Sequence, residues 1–257
     1  MINTTADIME QASRALAERD YLTAEQHAEQ ALLDARQRES WDDYARILMP
    51  LQESRRQRRI IAAEGWLLLG SESSEAILKG LAEAGPEPGP KPHADPGSEP
   101  GKILAAQIVL TAPIKPDDAE RIWREARRRR LWVELLMAEG SGNARKARSW
   151  RNRSIEADIL SPPDLPHGTW IEPAKASKAP KQGLSGSAWF QLASEQLGDA
   201  ALKPLTNEQP SIALLDRLAQ AVDAVPDHEI LHQRLWDSAR DLQRITSPAD
   251  TASNSDH

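Results

Sequence analysis

Two histidines with three residues between them are the pair in this chain whose spacing best suits chemistry. On an α-helix, His228 and His232 lie about one turn apart, so that both imidazoles can coordinate one Zn²⁺. Glu229 lies between them and could activate a zinc-bound water as a general base. Such a centre would hydrolyse peptide bonds, but it also requires a third protein ligand.

The sequence His228-Glu-Ile-Leu-His232 resembles the HExxH motif of the zincin metalloproteases. In that family the third zinc ligand is commonly a glutamate well downstream, and no glutamate follows Glu229 here. Asp227 directly precedes the motif and is expected to cap a helix that begins there, with Ile230 facing the core and both histidines at the surface. We therefore predict no metal site, and His228 and His232 are the nearest that the chain comes to one.

Arginines cluster in three segments and suggest a different kind of site, one that holds phosphate groups. The clusters are residues 55–59, 124–130 and 145–153. If the fold brings them to one face, their guanidiniums can contact nucleic-acid phosphates while a tryptophan stacks on a base. Arginines at the end of the second cluster would also suit a helix C-terminus, where cations favour the dipole. The residues predicted for a phosphate or nucleic-acid site are Arg127, Arg128, Arg129, Arg130, Arg148, Trp150 and Arg151.

The composition argues against a protein whose entire surface binds nucleic acid. The chain of 257 residues carries a formal net charge of −7, and its pI is near 5.5. It contains no cysteine, which excludes disulfides, thiolate metal sites and a cysteine nucleophile. Neither GxGxxG nor GxxxxGK[ST] occurs, so we predict no cofactor. A loop at residues 141–143 remains open as a ligand contact, because it follows a predicted strand.

The N-terminus and the hydropathy pattern predict a cytoplasmic protein. Residues 1–11 carry an acid where a signal peptide would carry basic residues followed by an apolar core. No apolar run approaches the ~20 residues that are needed to cross a bilayer. We therefore expect no membrane partner.

Two amphipathic helices that meet at Asp20-Tyr21 give the clearest pattern in the chain. Alanine recurs at positions 24, 28 and 31, on one face of the second helix, where small side chains let two helices approach closely. The run Asp-Tyr-x-x-Ala-x3-Ala-x2-Ala-Leu at residues 20–32 resembles the second half of a tetratricopeptide (TPR) repeat. Gln11 and Arg36 depart from the family, which usually has leucine and proline there.

A third predicted helix runs from Ser40 to about Arg59 and resembles the first half of a second repeat. Ser40 is expected to be its N-cap, and Pro50 is expected to kink or break it. One and a half repeats cannot bury a solenoid core without a neighbour. We therefore expect another part of the chain to cover these helices.

The middle of the chain alternates short apolar runs with helical patterns. This order predicts a parallel sheet with helices packed on it. The predicted strands and helices are, in order, residues 65–70, 71–84, 103–110, 117–130 and 131–137, with two further strands at 153–160 and 168–172.

Helical patterns return near the C-terminus, where Ser187-Ala-Trp189-x-x-Leu192-Ala193 resembles the start of a TPR repeat. The predicted fold class is mixed α and α/β, with TPR-like hairpins flanking a small central α/β region. The predicted divisions are a TPR-like helical region at 1–59, an α/β region at 60–172 with a mobile Pro/Gly-rich loop at 86–101, a linker at 173–186, a TPR-like helical region at 187–245, and a disordered tail at 246–257.

The TPR resemblance implies a non-enzymatic protein that binds another protein or acts as a scaffold. In that family the first helices of the repeats line the binding face, and the matching residues here are Met9, Ser13, Leu16 and Ala17. Two alternatives stay open: a factor that binds nucleic acid or phosphate ligands through the arginine-rich segments, and a zinc hydrolase that uses the histidine pair.

Overall fold

The computed structural model describes residues 4–70, 73–84, 105–141, 144–179 and 183–246. The helices are α1 (Thr5–Ala17), α2 (Tyr21–Gln37), α3 (Trp41–Ala63), α4 (Ser74–Ala84), α5 (Pro116–Arg128), α6 (Pro173–Ala176), α7 (Gly186–Leu202), α8 (Ile212–Ala224) and α9 (Glu229–Thr246). The strands are β1 (Trp66–Leu69), β2 (Ala105–Leu110), β3 (Trp132–Ser141), β4 (Ala144–Arg148), β5 (Glu156–Ile159) and β6 (Trp170–Ile171).

Two equivalent turns join the first three helices. Arg19 follows α1 and has a positive φ of 61°. Glu39 follows α2 and has a positive φ of 53°. In each turn the backbone N–H of this residue and that of the next residue donate to carbonyls of the last helical turn, which satisfies acceptors that a helix end otherwise leaves free. Ala24, Ala28 and Ala31 are completely buried where α2 packs on its neighbours, as their small size predicts. Helices α1, α2 and α3 therefore form a regular antiparallel stack.

A six-stranded mixed sheet lies beside this stack, in the order β5-β4-β3-β2-β1-β6. Strands β1, β2 and β3 are parallel, whereas β4, β5 and β6 pair in antiparallel fashion. Alternate residues of β1 face opposite ways, because Leu67 and Leu69 join one core cluster and Leu68 joins the other. Helices α3 and α7 cover the first face, while α4 and α5 cover the second. The predicted fold class, mixed α and α/β, is confirmed.

The helices from the two ends of the chain pack together in a single layer. Helix α3 contacts both α2 and α9, and α9 contacts α8. Their buried side chains belong to one core cluster that also includes the α3-facing side of the sheet. The C-terminal helices thus supply the cover that the N-terminal helices need.

Several sequence expectations differ from the structure in detail. Helix α3 is continuous through Pro50, so the expected break does not occur; Ile47, Leu48 and Leu51 around it are buried, and their packing holds the helix together. The sequence does not predict strand β4, because its arginines indicate a basic cluster and it lacks the apolar pattern of a strand. The predicted linker contains the short helix α6. The Pro/Gly-rich loop 86–101 and the tail from 247 onward lie outside the described residues.

Gly65 shows why the chain can pass directly from α3 into β1. A Cβ atom at this position would lie 2.1 Å from the carbonyl oxygen of Ala105, on the neighbouring strand. Only glycine permits backbones to approach this closely.

Among the described residues, no helix is both long and apolar enough to cross a lipid bilayer.

Candidate functional site

A groove lies between α2 and α8. Its volume is about 690 Å³, within the range of ~300–1,000 Å³ that is usual for ligand sites. Side chains of α3 and α9 form its floor, and α5 together with the loop after β4 forms a third side. The lining residues are Glu29, Leu32, Leu33, Arg36, Tyr44, Leu51, Arg55, Pro116, Asp117, Glu120, Trp123, Trp150, Arg151, Asp216, Ala219, Val222, Asp223 and Leu235. We call this surface the α2–α8 groove.

A bidentate ion pair joins the two long walls of the groove. The Nε and Nη2 atoms of Arg36 on α2 donate to the two carboxylate oxygens of Asp216 on α8, at 2.7 and 2.8 Å. The same guanidinium lies 5.4 Å from the ring centroid of Trp41, so a cation–π contact also fixes it. Arg36 and Asp216 are 180 residues apart in sequence. The groove therefore forms only when the chain folds and brings α2 and α8 together.

Two tryptophans at the third side contact each other and share an arginine. The rings of Trp123 and Trp150 have centroids 6.0 Å apart, and the guanidinium carbon of Arg151 lies 4.5 and 4.7 Å from them. Arg151 also donates to the carboxylate and the backbone carbonyl of Asp223 on α8. These contacts lock the loop after β4 against α8 and set the position of both rings.

Charges in the α2–α8 groove are mostly paired and on balance negative. Five carboxylates and three guanidiniums line it, a formal charge of −2. Glu120 pairs with Arg124, whose side chain is 73% exposed, and Asp117 is exposed in the first turn of α5. The groove can therefore accept cations more readily than anions.

A second group of charged residues, most of them buried, adjoins the groove through Arg55. Glu25 on α2 is 1% exposed and accepts hydrogen bonds from Arg55 at 3.1 Å, Arg58 at 2.6 Å and Arg127 at 2.6 Å. Arg58 continues the chain of contacts to Glu134 on β3. Together these side chains tie α2, α3, α5 and the sheet to each other. We call them the Glu25 network.

The pKa values of two carboxyls in the Glu25 network are shifted in opposite directions. Burial would raise the pKa of Glu25, but the adjacent guanidiniums of Arg58, Arg127 and Arg55 hold it well below its usual range. Burial raises the pKa of Glu134 well above its usual range, and the neighbouring Asp227 carboxylate adds to that shift. The cavity beside Glu134 and Asp227 is about 40 Å³, enough for little more than water. This cavity therefore has no room for a substrate.

The histidine pair is buried, which corrects the expectation that both imidazoles lie at the surface. His228 and His232 are each 2% exposed, whereas Ile230, expected in the core, is 55% exposed. Helix α9 begins at Glu229, and its orientation about its own axis directs both histidine side chains into the core. Gly198 on α7 makes room for the His228 ring, which a Cβ atom there would approach to 2.2 Å.

Hydrogen bonds indicate a proton on Nε2 of both imidazoles. His228 Nδ1 accepts from the backbone N–H of Leu231 at 3.2 Å, so its Nε2 donates to Asp199 at 3.2 Å. His232 Nε2 donates to the carbonyl of Pro226 at 2.9 Å, and burial lowers the pKa of His232 to about 4. Both Nε2 atoms are thus engaged. Within the described part of the chain, no three histidine, aspartate or glutamate side chains are grouped so as to hold a metal ion.

The arginines that the sequence singled out are placed against carboxylates. Arg127 contacts Glu25, and Arg130 contacts Asp20 at 2.5 Å. The remaining pairs are Arg128 and Arg129 with Glu125, Arg148 with Glu139 and Glu156, and Arg151 with Asp223. Trp150 and Arg151 do meet at the α2–α8 groove, but Arg128 and Arg148 lie outside its lining. The predicted cluster is therefore divided among several local ion pairs.

The face predicted for partner binding lies on α1, away from the α2–α8 groove. Met9 and Leu16 are half-buried, while Ser13 and Ala17 are exposed. None of the four lines the groove. In this chain the concave surface lies on the α2 side of the helical stack, where C-terminal helices α8 and α9 complete it.

Comparison with known proteins adds no relative: no family model, no curated protein and no solved structure matches this chain. The groove must therefore be interpreted from its own geometry.

Sequence reasoning missed the residues that define the groove most sharply. Leu33 is 60% exposed on α2, next to the half-buried Leu32, and only the rotation of the folded helix shows that it faces the groove. Trp123 falls within a helical pattern dominated by charge, and nothing in that pattern reveals its contact with Trp150. One signal was available: two tryptophans and several arginines occur within thirty positions of one another, a composition that is typical of interfaces.

Proposed function

We propose that this chain is a non-enzymatic protein-binding module of the TPR-like kind, and that the α2–α8 groove receives a segment of its partner. The observation that carries the proposal is the groove itself, which is open, lies between two helices, and has an apolar floor. Trp123, Trp150 and Arg36 border it, and these residue types supply most hot spots in protein interfaces. A cytoplasmic location, expected from the sequence, is part of the same proposal.

The regular packing of the first three helices supports this function. The α1–α2 and α2–α3 turns have the same backbone geometry, and the alanines of α2 are buried as a helical hairpin requires. In such stacks the packed helices serve as a rigid frame for a concave binding surface. Support for a nucleic-acid function is weaker, because the groove is negative on balance and the candidate arginines are already paired.

Selection from a random-peptide display library on the full chain tests this function. Ala219→Trp places an indole in the groove without changing charge, since Ala219 lines the groove on α8. Gln220→Trp is the matched control, because the next residue of α8 is exposed and lies outside the lining. We expect enriched peptides to bind the wild type and Gln220→Trp equally, and to lose about tenfold or more in affinity on Ala219→Trp.

Two results contradict the proposal. The first is a library that yields no peptide whose binding depends on Ala219, and the second is turnover of a substrate by the purified chain. Leu33→Gln repeats the test in case Ala219→Trp alters folding, because Leu33 is 60% exposed and its replacement leaves the core intact.

A further inference from the structure

The apolar part of the α2–α8 groove forms a stripe between its two walls. Leu33 stands exposed on α2, Ala219 and Val222 line the α8 side, and Leu235 lies on the floor. A cleft that runs between two helices over a helical floor matches the geometry in which an amphipathic helix binds with apolar residues at i, i+3, i+4 and i+7. The shape of the groove therefore favours a helical segment.

Cations already present in the groove are held by the chain itself. Arg36 is bound by Asp216, Arg55 by Glu25 and Glu29, and Arg151 by Asp223 and by cation–π contacts with two tryptophans. A partner carboxylate would have to displace one of these short contacts before it could gain a new one. The groove offers no ready site for an anion.

Two carboxylates at the rim of the groove, in contrast, are accessible to a cation from a partner. Asp117 is exposed at the start of α5. Glu120, one turn later, is 38% exposed, and among the described residues it pairs with the exposed end of Arg124 at 2.6 Å. Arg124 can rotate into solvent at little cost, because exposed pairs of this kind contribute about 0–1 kcal/mol. Both carboxylates can therefore pair with a cation that arrives with a partner.

We infer that the groove takes an amphipathic helix that carries lysine or arginine beside its apolar face. The apolar stripe would lie against Leu33 and Val222, and the cations would meet Asp117 and Glu120. This inference rests on the proposed function and adds the chemistry of the partner to it. Charge complementarity of this kind sets specificity and the rate of association.

Two designed peptides of roughly 14 residues, about 21 Å long as helices, test the inference. They share one leucine-rich face, and their polar positions are all lysine in one and all glutamate in the other. Calorimetric titration of the full chain should show binding of the lysine peptide about tenfold or more tighter than that of the glutamate peptide. Raising the salt from about 50 to about 300 mM should weaken the lysine peptide severalfold, because screening shortens the reach of exposed charges.

Variants assign the effect to the groove. We expect Ala219→Trp to abolish binding of the lysine peptide and Gln220→Trp to leave it unchanged. The double variant Asp117→Asn/Glu120→Gln should weaken it by about threefold to tenfold. Since both replaced side chains are at least partly exposed, this variant is expected to fold normally, and its thermal unfolding checks that.

The outcomes separate this inference from the function on which it rests. Equal or tighter binding of the glutamate peptide, lost in Ala219→Trp, overturns the charge preference and leaves the groove as a protein-binding site. Binding of the lysine peptide that Ala219→Trp does not affect is surface adhesion of a cationic peptide and overturns the inference. If neither peptide binds, the inference is overturned as well, and the library selection then decides the proposed function independently.

Discussion

The Glu25 network and the α2–α8 groove are built from the same residue types but have opposite relations to water. Both consist of arginines, carboxylates and neighbouring apolar side chains, and Arg55 belongs to both. In the network, Glu25, Arg55 and Arg58 are enclosed, and Glu25 contacts three guanidiniums. In the groove, Asp223 and Glu120 are 59% and 38% exposed and can be rehydrated if a partner is lost. The residue types alone do not distinguish structural from functional charge, whereas access to solvent does.

The largest expected effect comes from Glu25→Gln, which removes the central charge of the network. Arg55, Arg58 and Arg127 would then face one another without their shared counter-ion. Breaking a buried ion pair on one side costs about 3–5 kcal/mol, because it leaves uncompensated buried charge. We expect a loss of this size in the free energy of unfolding, measured by urea denaturation.

Glu10→Gln is the control for that variant, because Glu10 and Arg14 form an exposed pair with side chains 72% and 64% accessible. Its effect should be within about 0.5 kcal/mol. A loss of under about 1 kcal/mol for Glu25→Gln would show that the network is dispensable, and the contrast with the groove would disappear.

The pH dependence of stability gives the next largest effect. The pKa of folded His232 is about 4 and the unfolded reference is 6.5, so the unfolded state binds more protons between these values. The contribution of His232 is therefore complete above pH ~6.5 and is lost as the pH falls toward ~4. Between about pH 7 and pH 5 the expected loss is roughly 2 kcal/mol.

Glu134 acts in the opposite direction in the same window, so the wild type by itself cannot isolate the histidine. Its raised folded pKa makes its contribution complete below the reference value of 4.5 and lost as the pH rises. His232→Gln keeps a donor for the Pro226 carbonyl and removes only the histidine titration. Unfolding at both pH values should show the wild type losing about 2 kcal/mol relative to this variant on acidification. Parallel curves would contradict the assignment.

A smaller effect is expected on the groove side, from Arg151→Ala. The variant loses cation–π contacts with Trp123 and Trp150 and the hydrogen bonds to Asp223. We expect a loss of about 1–2 kcal/mol in the free energy of unfolding, less than for Glu25→Gln because water can reach the Asp223 carboxylate that remains.

Arg124→Ala is the matched control for Arg151→Ala, since Arg124 also pairs with a groove carboxylate but is 73% exposed. Its cost should lie within about 0.5 kcal/mol. If the two variants are equally mild, the contacts of Arg151 do not hold the loop after β4, and the third side of the groove is not rigid.

The contrast between these two regions could be predicted only in part from the sequence. Helical periodicity and apolar runs located α1 to α3 and the parallel strands, because those signals are local. Burial of Ala24 and Ala28 followed from their position on one helical face. Strand β4 escaped because its charged and small residues lack the apolar signal of a strand, as expected for one that lies between β3 and β5 near the sheet edge.

Pairing of the arginines could not be predicted, because their partners are distant in sequence. Arg127 meets Glu25 from 102 residues away, and Arg36 meets Asp216 from 180 residues away. An arginine cluster in a sequence shows cations but not the acids that the fold brings to them. The prediction that both histidines lie at the surface was wrong for a related reason. The HExxH spacing places two imidazoles on one side of a helix, but it does not determine whether that side faces solvent or the core.

The smallest expected change in stability belongs to the position that matters most for binding. Leu33→Gln alters a side chain that is 60% exposed, so the free energy of unfolding should stay within about 0.5 kcal/mol of the wild type. Affinity for peptides selected on the groove should nevertheless fall about tenfold, because an exposed apolar anchor contributes only when a partner buries it. Met49→Gln, on the exposed face of α3 and outside the groove lining, should change neither quantity. Together with Glu25→Gln, this pair tests the contrast between the two regions directly: enclosed charges set stability, and exposed apolar residues set recognition. A Leu33 variant that loses stability and affinity in proportion would instead show that the groove is part of the core.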